Sequence, residues 1–237
     1  MVADDVKFDT TTKRIARYVI GLDPEEITIP SRHVMTSRVV DAVGCALGAL
    51  DSPPGTVSRS LAAGAGIGTG VSVIGLSQRT TPELAAFANG CLVRYLDFND
   101  TYHTEGGGHP SDMLPAILAA AELTGCSGSE TLTGLHVAYE VFAALADAVP
   151  MRDKGWDYGA FLSIATAAGV SRVLELEEAG VCNAISLSVT PNMPLFVTRT
   201  GELSNWKGCA SAYAAMSALF AVRLSQAGIT GPPRPFE

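Results

Sequence analysis

The chain has 237 residues, of which 47% are hydrophobic and only 17% charged, and its formal net charge is -8. That length suffices for one large domain or two small ones with a sizeable core. The acidic balance argues against a nucleic-acid partner, which a basic face would attract, yet a local positive pocket for a small anion is compatible with it. Charge falls below the ~25% usual in soluble domains while Gly and Ala abound, which predicts closely packed helices and an apolar subunit interface.

The N-terminus, MVADDVKFDTTTKRIARYVIG, places acids ahead of bases and lacks an apolar h-region, so no secretory leader is expected. Helical periodicity then dominates. Helices are predicted over 12–21, from Ser31 as N-cap with Val39, Val43, Leu47 and Leu50 as one stripe, and over 57–64. GVSVIGL, 70–76, is the one strand-like run, with room for a short hairpin. Thr81-Pro82-Glu83 reads as cap, first-position proline and first-turn acid, opening a helix to 96 with Leu84, Phe87, Cys91 and Tyr95 on one face. Further helices are expected over 112–124, from Ser129 (Leu132, Leu135, Tyr139, Phe142, Ala146, Val149), over 159–174 and 177–187, and from Ser204 (Tyr213, Met216, Phe220, Leu224, Ala227). The uncharged run Ala179–Thr198 is long enough to cross a membrane, but Asn183, Pro191, Asn192 and Pro194 favour a buried helix and a turn. The expected fold class is all-α, a multi-helix orthogonal bundle with at most one short β-hairpin. The domain spans 1–230, and the proline-rich 231–237 reads as the start of a linker. Five widely spaced cysteines without a CxxC suggest buried reduced thiols and a cytoplasmic protein.

Against this apolar background, DFNDTYHTEGGGHPSD (97–112) is dense in polar groups. If helical geometry continues past 96, Asp97 and Thr101 share a face. Gly106–Gly108 gives a flexible or tight loop, and Ser111 is a candidate cap for the next helix. The free N–H groups of that helix would then stand beside His109 and suit a carboxylate or phosphate. In RTGELSNWKGCAS (199–211), Lys207 falls in a first helical turn, and Arg199 is a candidate bidentate carboxylate clamp. RDKGWDYGAF (152–161) is an aromatic-polar loop before a helix. Asp97, Asp100, His103 and His109 show no known metal-ligand spacing, so no metal is expected. His33 and His136 read as structural or exposed.

VVDAVGCALGAL, RYLDFNDTYH, GGGHPSDMLPAILAAAE, KGWDYGAF and RTGELSNWKGCASAYAA, in this order from about residue 12 to the end, resemble the MmgE/PrpD family. These are the 2-methylcitrate dehydratases and their relatives, which include a decarboxylase and an epimerase. The resemblance implies the helical one of two domains, a homodimer formed through it, and a cleft shared with an α+β domain. That second domain would be separately encoded if the enzyme is split. It implies Asp97, Thr101, His109 and Lys207 as catalytic residues acting on a di- or tricarboxylate. Arg199, Ser111 and Tyr158 would be substrate-binding, and no cofactor would be needed. Many members have a histidine at or next to Tyr158, where this chain has none. The implied reaction is elimination of water from a hydroxy-tricarboxylate. The alternatives are a non-catalytic fragment or dimerisation subunit, or a family epimerase or decarboxylase.

Overall fold

A computed structural model describes residues 7–66 and 70–237. Residues 1–6, part of the stretch on which the expectation about a leader rests, lie outside the described residues. Nine α-helices are found among the described residues: α1 Thr10–Gly21, α2 Ile29–Gly48, α3 Pro53–Gly64, α4 Pro82–Tyr95, α5 Leu114–Thr124, α6 Gly128–Ala148, α7 Gly159–Val173, α8 Glu178–Val189 and α9 Ala210–Gln226. Two antiparallel strands, β1 Val71–Ser72 and β2 Arg79–Thr80, pair Val71 with Thr80 and Ser72 with Arg79. The mostly helical class with one short hairpin is therefore as the periodicity predicts.

Three helix starts differ from expectation, each for a reason in cap chemistry. Thr28, not Ser31, caps α2; its side chain accepts the Ser31 N–H, and Pro30 occupies the first turn. Ser127, not Ser129, caps α6, because Glu130 three residues on completes a capping box. Ser204 caps only a 3-10 turn, Asn205–Gly208, and α9 begins after it.

The core is built from small residues. The α7 helix is buried along almost its whole length. It meets α6 where a Cβ added to Gly169 would lie 2.6 Å from the Gly134 carbonyl oxygen. The α4 and α9 helices touch where a Cβ on Gly90 would lie 2.7 Å from that of Ala212. Two of the expected faces are shifted: on α2, Val39, Val43 and Leu50 of the expected stripe stay partly buried, and on α9 the close approach to α4 turns Tyr213 and Phe220 outward. α2 buries Met35, Ala42, Cys45, Ala46 and Ala49 while Leu47 is exposed, and α9 buries Ala212, Ala215, Ala218, Leu219 and Val222 while Tyr213 and Phe220 face out. The tail read as the start of a linker lies against α1 and α8. Asp9 N–H donates to the Pro233 carbonyl, Ser186 Oγ to that of Pro232, and Phe236 packs on the core. No described helix is long and apolar enough to cross a membrane.

Candidate active site

The α4 helix ends at Tyr95, and the polar loop leaves it through Asp97 at φ 58°. This left-handed conformation is one that a short polar side chain tolerates better than most. It also means that Asp97 and Thr101 do not share a helical face, contrary to the expectation. What holds Asp97 is electrostatic. Its Oδ1 accepts from Arg94 Nη1 at 2.5 Å, and its Oδ2 accepts from Lys207 Nζ at 3.2 Å. Partial burial alone would push the Asp97 carboxyl up, but Arg94 and Lys207 outweigh that and hold it at about 2. A carboxyl lowered on folding stabilises the fold above its unfolded value and loses that contribution as pH falls through its folded value. Asp97→Asn is therefore expected to flatten the loss of stability between about pH 4 and about pH 2, read from urea midpoints across that range. Asn tolerates the same backbone, so the change isolates the charge, and half-exposure at the carboxylate keeps the effect modest.

The triple glycine closes the loop by contact, not by unusual backbone angles. A Cβ on Gly106 would lie 2.5 Å from the Ala146 carbonyl oxygen, one on Gly107 2.0 Å from that of Tyr102, and one on Gly108 2.3 Å from the Tyr158 ring. Tyr102 N–H donates to the Gly108 carbonyl at 2.8 Å and pins the turn. Gly108→Ala is thus expected to destabilise the fold by about 1–3 kcal/mol, the usual cost of overpacking, as measured by chemical denaturation.

Asp100 anchors the far side of the loop. Its Oδ1 accepts the Ser111 N–H at 2.9 Å, its Oδ2 the Tyr139 hydroxyl at 2.7 Å, and its carbonyl oxygen lies 2.8 Å from His109 Nδ1. A carbonyl only accepts, so Nδ1 carries the hydrogen and the lone pair of neutral His109 sits on Nε2. Nε2 in turn lies 3.5 Å from Asp97 Oδ1, and Thr101 Oγ1 lies 3.4 Å from Nδ1. The structure thus brings Asp97, Thr101, His109 and Lys207 together on the wall of one cavity of about 710 Å³.

The other three expected site residues are engaged with the protein itself: Arg199 and Tyr158 in the cavity wall, Ser111 behind it. Ser111 is buried in a 3-10 turn, Pro110–Met113, where its Oγ accepts from Asn99. Its N–H is taken by Asp100, so neither the expected side-chain cap nor a free helix-end anion site forms there. Arg199 is a bidentate clamp, as its chemistry suggested, but on Asp157, at 2.7 and 3.2 Å. Its remaining donors reach the Lys207 carbonyl and Ser211 Oγ. Tyr158 presents its ring to the cavity while its hydroxyl donates to Asp112 at 2.9 Å and pairs with Ser211. Burial pushes that phenol up, which keeps it a neutral donor.

Two cations were not singled out in the sequence. Arg94 is 3% exposed and bridges Asp97 at the cavity to Asp112, itself 1% exposed, with Nε 3.5 Å from Asp112 Oδ2. The signal was present: Arg94 follows the buried Gly90 and Cys91 by one helical turn, so it had to point inward. Arg152 lines the cavity and donates once, to the Gly107 carbonyl; an arginine in a three-residue 3-10 turn leaves no periodic signal. Among the described residues, no group of three or more His, Cys, Asp or Glu side chains comes together as a metal site.

Residues 13–237 match the MmgE/PrpD N-terminal domain, and the chain belongs to that family. It is 30% identical to the 2-methylcitrate dehydratase of Escherichia coli over 91% of its own length and 47% of the relative's. It is 27% identical to a probable 2-methylcitrate dehydratase of Saccharomyces cerevisiae (93% and 46%) and 28% identical to alkylcitrate dehydratase phiI of Talaromyces stipitatus (99% and 49%). The chain thus spans about half the length of the curated relatives it matches.

Proposed function

We propose that this chain forms one wall of a dehydratase site that removes water from a hydroxy-tricarboxylate such as 2-methylcitrate. The observation that carries the reading is the grouping of a histidine with a free Nε2 lone pair, an ionised aspartate and cations on one cavity wall. Elimination needs a base for a proton alpha to a carboxylate, a proton for the departing hydroxyl on the adjacent carbon, and cations for the carboxylates. His109 Nε2 takes the proton, and Asp97 stabilises the imidazolium that forms. The C–O bond breaks as the C=C bond forms, and the proton on Nε2, delivered to the departing hydroxyl, completes the water. Lys207 and Arg152 line the cavity with more N–H donors than their bonds to Asp97 and the Gly107 carbonyl use, and hold carboxylates, while Thr101 hydrogen-bonds substrate. Arg94, Arg199, Tyr158 and Ser111 shape the wall. These groups supply base and charge themselves, so the reaction asks for no cofactor.

Titration calorimetry with 2-methylcitrate tests the reading. Saturable binding weakened tenfold or more by Lys207→Met supports it, and binding indifferent to that change would remove the cavity from the reaction. The chain also acts, in this reading, as a cytoplasmic homodimer through the apolar surface of α2 and α3, where Val40, Leu47, Val57 and Leu61 are more than half exposed. Turnover draws on further groups from a second α+β domain.

A further inference from the structure

Behind the cavity wall, α4 and the start of α9 carry one cysteine each. Cys91 is fully buried on α4, one turn before Arg94, and Cys209 is half-buried two residues after Lys207. The backbones are close on both sides of the pair. Gly90 meets Ala212 as described above, and a Cβ on Gly208 would lie 3.7 Å from the Tyr95 ring. These contacts, on either side of the pair, hold the two elements that carry the thiols against each other, and each thiol displaces the other's titration.

We infer that Cys91 and Cys209 form a peroxide-oxidisable dithiol whose disulfide ties the Arg94 helix to the Lys207 turn. The two thiols are chemically unequal. Cys209 occupies the N-cap position of the 17-residue α9, where the helix dipole favours a thiolate. Contact with Cys91 holds the Cys209 thiol below the usual range, while the same contact, with burial, pushes Cys91 up. Cys209 also has the more open position. The Cys209 thiolate therefore attacks hydrogen peroxide, breaking its O–O bond to give a sulfenic acid and, with a proton, water. The Cys91 sulfur then attacks the sulfenic sulfur, forming the S–S bond and releasing the sulfenic oxygen as a second water. Peroxide is the two-electron oxidant, and the two thiols are oxidised together.

The experiment treats the reduced chain with a small excess of hydrogen peroxide, blocks free thiols with N-ethylmaleimide, and maps non-reduced peptides by mass spectrometry. The expected product is a Cys91–Cys209 cross-linked peptide with loss of two of the five thiols. Cys209→Ser is expected to keep all of its four remaining thiols, and Cys91→Ser to leave a dimedone-trappable sulfenic acid at Cys209. Circular dichroism of each variant confirms that it folds. If wild-type Cys209 accumulates as sulfenic or sulfinic acid with Cys91 still free, or if Cys126 oxidises first, the inference is overturned. Neither readout depends on the dehydratase reading.

Discussion

Replacing Arg94 with methionine is expected to cost about 3–5 kcal/mol of folding stability, because it leaves the Asp112 carboxylate buried without its cation. Asp112 is 1% exposed. Burial pushes its carboxyl above the usual carboxylate range, and Arg94, together with His109 and the hydroxyls of Ser211 and Tyr158, works against that rise. Removing Arg94 takes away the largest opposing contribution and raises the group further, so it either protonates or remains charged at high cost. The double variant Arg94→Met, Asp112→Leu takes away both charges and is expected to recover much of the loss. Urea unfolding of the two single variants and the double variant measures the coupling. A cost below about 1 kcal/mol for Arg94→Met would mean that no buried ion pair supports the cavity floor.

The second large effect is on chemistry. In a preparation that dehydrates 2-methylcitrate, His109→Ala is expected to lower kcat by about 10²–10⁴, the usual contribution of a positioned general base. KM should change less, since Lys207 and Arg152 stay in place. Helical content should be unchanged, because His109 precedes a 3-10 turn and none of its hydrogen bonds supports a helix. His109→Gln is the sharper control, since a similar shape without a base separates proton transfer from packing. Full activity in either variant would leave the histidine as loop punctuation.

The parts of this fold that the sequence discloses are those set by local chemistry. Thr81-Pro82 marked the start of α4 because a hydroxyl cap and a first-position proline act within one turn. The exposed Tyr213 and Phe220 were misplaced for the opposite reason. Hydrophobic periodicity favours large side chains for the core, whereas here Gly and Ala let backbones approach and push the large residues outward. The polar loop declared itself by composition, and its three glycines by number. What each glycine avoids lies on α6, within the loop, and on Tyr158, contacts that only the tertiary structure shows. The spacing likewise pointed to Asp97, Thr101 and His109, but not to how Asp97 is held. A helix running one turn further would have placed it on a helical face, and the observed left-handed residue instead depends on Arg94 and on Lys207, 110 positions away. Arg199 was legible as a carboxylate clamp, though not that the carboxylate is Asp157.

Imidazole NMR of the isotope-labelled histidines tests most directly whether this cavity is where a tricarboxylate binds and His109 where its proton goes. The chain has four: His33, His103, His109 and His136. In the free chain, His109 should show a protonated Nδ1 and an unprotonated Nε2 at pH values where it is neutral. On addition of 2-methylcitrate, the His109 and His103 signals should shift together and saturate, while those of His33 and His136, which do not line the cavity, should stay in place. Signals that move only at His33 or His136, that do not move at all, or that place the neutral-state hydrogen on His109 Nε2 would contradict it.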